Sequence, residues 1–294
     1  MRRIVVSRAA FLGVLSVLCG CGWFAVAAAV QQTGASRIAL ATVVDPRNHP
    51  IVDVEADDFV VHEGADEREI LSVHLGDYPV VVMLDTGGNA RRDLPMMQRA
   101  AEQFIARLGQ RPVALGTFGD PPAMLTTFED ERSKLKERLE ALSPAATGAS
   151  LLLQGAALAA ETIRPTGSLF SAIVMLSASP IDATPNAEEL VPPIVGAGAI
   201  LHVIANRSTR SAADGMALSG LATTLRTLVE QTRGQYTPIY TPASYRAALD
   251  QIADRMSTEI MIEYLVPTQS KANDVKVGVR IPGARVRGFG VAPR

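Results

Sequence analysis

The stretch VVVMLDTGGN, residues 80–89, decides how this chain is read. Five apolar residues, Val80 to Leu84, run without a break into Asp85, and Thr86-Gly87-Gly88-Asn89 follow as a tight turn. An apolar run of this length, rich in β-branched residues, predicts a strand buried on both faces. An acid at the end of such a strand is costly unless something there uses or satisfies it. The context of the run shows what kind of sheet it belongs to, and the residues around the acid show what it can do.

Outward from the run, apolar strands alternate with helices. RDLPMMQRAAEQFIARLG (92–109) places Met96, Met97, Ala100, Ala101, Phe104, Ile105 and Leu108 at helical spacing, and Gly109 stops it. RPVALGTFG (111–119) and AMLTTF (123–128) read as strands, with the Gly-rich segment between them as a hairpin. EDERSKLKERLEAL (129–142) reads as a charged helix opened by acids, and ASLLLQGAALAAETI (149–163) as a largely buried one. SAIVMLSAS (171–179) and AILHVIAN (199–206) are strands. They bracket NAEELVPPIVGAG (186–198), a helical stretch broken or ended by Pro192-Pro193. Residues 215–234 form a helix capped by Gly234, QYTPIY (235–240) a short strand, and residues 241–257 a helix with Pro242 at its start. Two alternating strands, 258–267 and 273–282, follow. Such an order predicts a mostly parallel, doubly wound sheet with helices on both faces. Ligands in these sheets sit at the carboxyl ends of strands, where Asp85 lies.

The segment before the run reads differently. RIALATVVD (37–45), DFVVHEG (58–64) and EILSVHL (69–75) are short β segments, with PRNHP (46–50) a turn in which Asn48 suits positive φ. The expected organisation is a leader over 1–30, a polar linker over 31–36 and a small β module over 37–76. A doubly wound domain over 77–266 follows, and a strand segment over 267–294 packs back.

Two resemblances compete for Asp85. Asp85-Thr86-Gly87 is similar to the active-site tripeptide of the aspartic proteases, which need two such aspartates sharing a proton. One copy here implies a dimeric hydrolase, yet a strong amphipathic helix follows the tripeptide. The second resemblance covers far more of the chain. VVDPRNHPIVDVEADDFVVHEG (43–64) resembles the amino-terminal block of a bacterial secreted family described as VWFA-related, through Asp45, Pro50, Val52, Asp58, Phe59, Val61 and Glu63. EILSVH (69–74), TGASLLLQGAALAA (147–160), AIVMLSAS (172–179), LVEQTRGQY (228–236) and RVRGFG (285–290) resemble its later blocks, in order. This resemblance implies a von Willebrand factor A-like, Rossmann-like α/β fold. VVVMLDTGGN stands where that family has a strand followed by Asp-x-Ser-x-Ser.

In that fold a hard Mg²⁺ or Ca²⁺ ion takes oxygen ligands from three loops. The resemblance implies an Asp and two Ser in the first loop, a Thr in the second and an Asp in the third. Asp85 is kept. The Ser positions carry Gly87 and Asn89, and the Thr position Ala149, unless a shift of register brings in Thr147 or Ser150. The third-loop Asp is Ala178, flanked by Ser177 and Ser179. The only ligands this set offers a metal are Asp85 and Asn89. The expectation is therefore no cofactor, with Asp85 capping its turn through the N–H groups of residues 87–89. The binding residues expected on the loop face are Asp85, Thr86, Gly87, Asn89, Thr147, Ser150, Ser177 and Ser179, within the loops 85–93, 147–150 and 177–182.

Composition supports a globular, non-catalytic reading. Of the 294 residues 48% are hydrophobic and 20% charged, and the formal net charge of −2 gives no sign of a nucleic-acid binder. Four His residues (49, 62, 74 and 202) form no metal-ligand spacing, although His62 and His74 flank one expected hairpin. No Gly-x-Ser-x-Gly elbow or phosphate loop is present. Arg2, Arg3 and Arg8 precede an uncharged run from Ala9 to Val30, an export signal. Three forms remain open: a leader cleaved after small residues, a lipoprotein signal modified at Cys21, or a retained membrane anchor. Cys19 and Cys21, the only cysteines, both lie in it, so the rest has no disulfide or thiol chemistry. The expectation is an exported, non-enzymatic protein that binds a protein partner at the cell envelope, touching membrane only through its leader.

Overall fold

The computed structural model describes residues 34–146, 148–179, 184–207, 225–268 and 274–292. The leader, Thr147, residues 180–183 with Asp182, and the start of the helix expected over 215–234 lie outside these. Five strands open the described chain: β1 (Gly34–Val44), β2 (Pro50–Ile51), β3 (Phe59–Glu63), β4 (Asp66–Arg68) and β5 (Ile70–Leu75). The alternating part follows as β6 (Val80–Leu84), α1 (Leu94–Arg107), β7 (Val113–Thr117), β8 (Ala123–Met124), α2 (Arg132–Glu140) and α3 (Leu152–Ile163). It continues with β9 (Ala172–Ser177), α4 (Ala187–Gly196), β10 (Ile200–Asn206), helical residues 225–231, β11 (Gln235–Ile239) and α5 (Ser244–Ser257). Strands β12 (Ile260–Pro267), β13 (Val275–Val279) and β14 (Arg285–Ala292) complete it.

The central sheet has the order β11-β10-β9-β6-β7-β8, parallel except for the antiparallel edge strand β8. All five residues of β6 are buried, as the unbroken apolar run requires. Its side chains alternate between two cores. Val80, Val82 and Leu84 meet Met97 and Phe104 of α1 and Tyr245, Leu249 and Ile252 of α5. Val81 and Met83 meet Leu153, Ala156 and Ala160 of α3, with Ile194 of α4 and Leu228 beyond. This is the doubly wound arrangement that the strand–helix alternation predicts. The small-residue face of α3 has a purpose. A Cβ at Gly155 would lie 2.4 Å from the Cβ of Phe118, so only glycine lets this helix seat against the end of β7.

Several local expectations differ from the structure. Helix α4 runs through Pro192 and Pro193 instead of ending there. Both prolines sit on its exposed side, so the carbonyls they leave unbonded face water. Arg233, not Gly234, takes the left-handed conformation after the 225–231 helix, with φ 60°. AMLTTF yields only the two-residue β8. Met96 is 39% exposed although it fits the helical apolar spacing. His62 and His74 lie on strands of different sheets, β3 and β5.

The ends of the chain fold together. β1 pairs with both β12 and β14, and β12 also pairs with β5, giving an antiparallel sheet ordered β14-β1-β12-β5. β3 pairs with β13 and β4 in a further three-stranded sheet. The boundaries expected at 76 and 266 therefore do not follow the sheets: β12, read as part of the doubly wound domain, is the centre of the terminal one. Ala39, Ala41, Val43, Phe59, Val61, Ile260, Ile262 and Tyr264 form the core between these sheets. Leu40 and Met261, on the opposite face, join the core of the parallel sheet. At the amino end of β6 the Tyr78 hydroxyl donates to the Glu259 carboxylate, which also lies 3.4 Å from Arg255 Nε.

Charge is buried between the antiparallel sheets. Arg37 on β1 pairs with Glu63 on β3, both side chains being 4% exposed, and Arg68 Nε lies 3.5 Å from the other Glu63 oxygen. A desolvated pair is held by its own geometry, and removing one partner leaves a stranded charge. Glu63→Ala is expected to cost about 3–5 kcal/mol in urea unfolding. The double change Arg37→Met/Glu63→Leu is expected to cost less than that single one. Equal losses in the two variants would contradict this account of the cluster.

Candidate functional site

The chain leaves β6 for β7 on one side and returns to β9 on the other. The loops at the carboxyl ends of β6, β7 and β9 thus meet over a crevice at the switch point of the sheet. Asp85 lies there with no exposed surface. Its Oδ1 accepts from the Gly87 N–H at 2.9 Å and the Ser150 hydroxyl at 2.6 Å. Its Oδ2 accepts from the Ala178 N–H at 3.1 Å. Ser177 Oγ is 3.5 Å from Oδ2, but its proton goes to the Ser179 carbonyl. Three loops distant in sequence are tied together through one carboxylate.

The expected residues divide. Asp85, Gly87, Ser150, Ser177 and Ser179 are brought together. Thr86 is half-buried beside them, its carbonyl accepting from the Ala145 N–H at 2.9 Å. Asn89 is exposed and makes no hydrogen bond to Asp85 among the described residues, and Thr147 lies outside these. The turn cap is also different from the expected one. Of the N–H groups at 87–89, Asp85 takes only that of Gly87, since Gly88 donates to the Gly148 carbonyl at 3.1 Å. The remaining donors come from the other two loops.

Gly87 explains the position of Ser150. A Cβ at residue 87 would lie 2.5 Å from Ser150 Oγ and 3.1 Å from the Ala149 carbonyl oxygen. The missing side chain is the space that lets Ser150 reach the carboxylate. The donor set does not fit a hard divalent cation. Position 87 has no ligand atom, positions 149 and 178 carry methyl groups, Asn89 faces away, and both Asp85 oxygens already accept chain donors. Mg²⁺ needs near-octahedral oxygen coordination, which one carboxylate cannot supply. Among the described residues no group of three His, Asp or Glu side chains is placed to hold a metal.

Burial raises the Asp85 pKa above its ordinary 3.8, opposed by the hydrogen bonds from Ser150, Gly87 and Ala178. Below Asp85 lies a polar group that sequence reasoning missed. Asp93 Oδ2 accepts from Asn206 Nδ2 at 2.5 Å and is 3.2 Å from the Tyr245 hydroxyl, which donates to the Ser177 carbonyl at 2.6 Å. All three side chains are buried. Burial, with the Asp93 charge adding to it, raises the Tyr245 pKa well above its ordinary value, so the hydroxyl stays protonated. The available signal was Asp93 directly before helix α1, which reads as a cap. Its side chain makes no capping bond and turns inward. His202, also buried, is pushed down to about 3 by burial and by Arg255, and stays neutral.

Comparison with known proteins agrees with this architecture. Residues 80–177 match the family model of the von Willebrand factor type A domain. No curated protein matches the chain. A von Willebrand factor type A protein from Catenulispora acidiphila is similar in structure, with a TM-score of 0.53 and 11% identity, covering 89% of this chain and 74% of that one. Proximal thread matrix protein 1 from the mussel byssus, in a form with a zinc-occupied metal-ion-dependent adhesion site, has a TM-score of 0.52 and 11% identity. That similarity covers 67% of this chain and 49% of the other. At these identities the likeness establishes the fold: the chain is von Willebrand A-like.

Asp85→Ala strands the Gly87, Ala178 and Ser150 donors in a buried site and is expected to cost about 1–3 kcal/mol at neutral pH. The pH dependence has a definite sign. A carboxyl raised in the folded state holds its proton more tightly there than in the unfolded chain. Stability relative to Asp85→Asn should therefore rise as pH falls through the raised value, with the gain complete below the ordinary 3.8. Urea titrations of both proteins across that window measure it, and a constant difference would contradict the burial of this charge.

Proposed function

We propose that this von Willebrand A-like chain is an exported, non-enzymatic binding or scaffold protein. It engages a protein partner at the cell envelope through the loop face over Asp85, without a divalent metal. The observation that carries this reading is the saturation of Asp85. A carboxylate with no exposed surface, accepting three hydrogen bonds from its own chain, is withdrawn from both metal and substrate. It then acts as a fixed joint that holds the loop after β6, the loop before α3 and the loop after β9 in one arrangement. A preorganised loop face binds without the entropic cost of ordering its loops.

The same burial argues against the hydrolase reading. A dimeric protease would need Asp85 exposed to a partner aspartate and to water, and Asp85 has no exposed surface. Export rests on the basic start and uncharged run of residues 1–30. The sequence similarity to a secreted, VWFA-related family supports it too.

The test is capture of a partner from solubilised envelope by the immobilised chain. Capture is expected to be unchanged in EDTA and to be lost in Asn89→Trp, which blocks the exposed loop without touching the buried joint. Capture that EDTA abolishes, or that Asn89→Trp leaves intact, would contradict the proposal.

A further inference from the structure

The turn that follows Asp85 carries Arg91 and Arg92, both exposed at the end of the short helix Gly88–Arg92. Neither guanidinium has an ion-pair or hydrogen-bond partner among the described residues. Two contacts bring further interface-type residues to the same rim. The Asp93–Asn206 hydrogen bond joins the chain neighbours of Arg92 and Arg207. The Arg207 N–H then donates to the Ile239 carbonyl at 2.8 Å, which sets Tyr240, 65% exposed, beside it. The Arg207 guanidinium lies over the Tyr236 ring, 5.9 Å from its centre.

Among the described residues the acids at this end do not cancel that charge. Asp85 and Asp93 are buried and bonded internally. Among the described residues the exposed acids of the rim are Asp120, Glu188 and Glu189, which belong to the loop after β7 and the start of α4, on the other half. A basic half-rim thus stands on a chain whose formal net charge is −2. Arg and Tyr are the residue types that concentrate binding energy in interfaces. A guanidinium fork matches a carboxylate with two parallel hydrogen bonds.

We propose that Arg91 and Arg92, with Arg207 and Tyr240 beside them, form a docking surface for an acidic segment of a partner protein, read through its carboxylate side chains. This rests on the loop-face reading above and names the chemistry of the partner. A membrane or nucleic acid fits less well. Among the described residues the patch offers three cations where nucleic-acid binders neutralise roughly 6–10 phosphates, and the acids on the other half of the rim would repel a phosphate-dense surface. The guanidinia also oppose a divalent cation at the same place, in keeping with the donor set around Asp85.

The test uses the full-length chain in neutral detergent and fluorescent peptides alternating Glu with Gly. Matched Gln–Gly peptides and vesicles containing phosphatidylserine serve as comparisons. The Glu peptide is expected to bind at least about tenfold more tightly than the Gln peptide at low salt, with the advantage falling as salt rises. Arg91→Ala/Arg92→Ala should abolish the advantage with the thermal midpoint unchanged, while Arg138→Ala on α2 should keep it. Equal binding of the two peptides, an advantage that survives in the double variant, or binding to the vesicles alone would overturn the proposal. Envelope capture separates the two readings. If Asn89→Trp loses the partner and the Arg pair variant keeps it, the loop-face reading stands and this inference fails. If neither variant loses it, both fail.

Discussion

A carboxylate at the end of a fully buried strand has to be satisfied, and how Asp85 is satisfied sets the character of this end of the molecule. The parallel sheet delivers the acid into a crevice where loops from β6, β7 and β9 converge. Burial pushes its pKa upward, and the bonds from Gly87, Ser150 and Ala178 push it back. In the mussel byssus protein the metal-ion-dependent adhesion site holds zinc. In this chain the same demand is met from within. The residue that matters most is Gly87, because the space a side chain would fill there is where Ser150 sits.

The consequences run downward and outward from that joint. Downward, Ser177 and Ala178 are held by Asp85 on one side, while the Ser177 carbonyl accepts from Tyr245 on the other. Tyr245 lies against Asp93, and Asp93 holds Asn206. The buried polar path therefore links the ends of β6, β9 and β10 to helices α1 and α5. Outward, the loops fixed in this way present an exposed rim on which Arg91 and Arg92 have no partner among the described residues. At the opposite end of β6 the polar contacts are of another kind. Tyr78, Glu259 and Arg255 fasten the parallel sheet to the composite sheet made from both ends of the chain. The end at Tyr78 and Glu259 is a structural seam.

Much of this was legible in the residues. The run Val80–Leu84 announced a central strand because no exposed strand tolerates five apolar residues in succession. That residues 87 and 178 carry Gly and Ala, with no side-chain oxygen, was legible in the sequence. Periodicity could not show who would satisfy Asp85, because Ser150 and Ala178 lie 65 and 93 residues away and reach it only through the crossing of the sheet. The same holds for Asp93. A residue before a helix reads as a cap, and only the fold shows that its side chain turns inward to Asn206 and Tyr245. The composite sheet escaped for a similar reason. β12 alternates like any half-buried strand, and nothing local says that its partners lie more than 180 residues earlier. The prolines of α4 misled because the rule against proline in a helix weakens where the unbonded carbonyls face water.

The most direct test of the central claim, that chain donors satisfy Asp85, is a crystal structure of the protein grown with Mn²⁺ and examined by anomalous scattering. The expected result is no manganese peak at Asp85, with the Ser150 hydroxyl and the Gly87 and Ala178 N–H groups on its carboxylate. A manganese ion about 2.1 Å from an Asp85 oxygen, with Ser150 turned away to ligate it, would contradict the account.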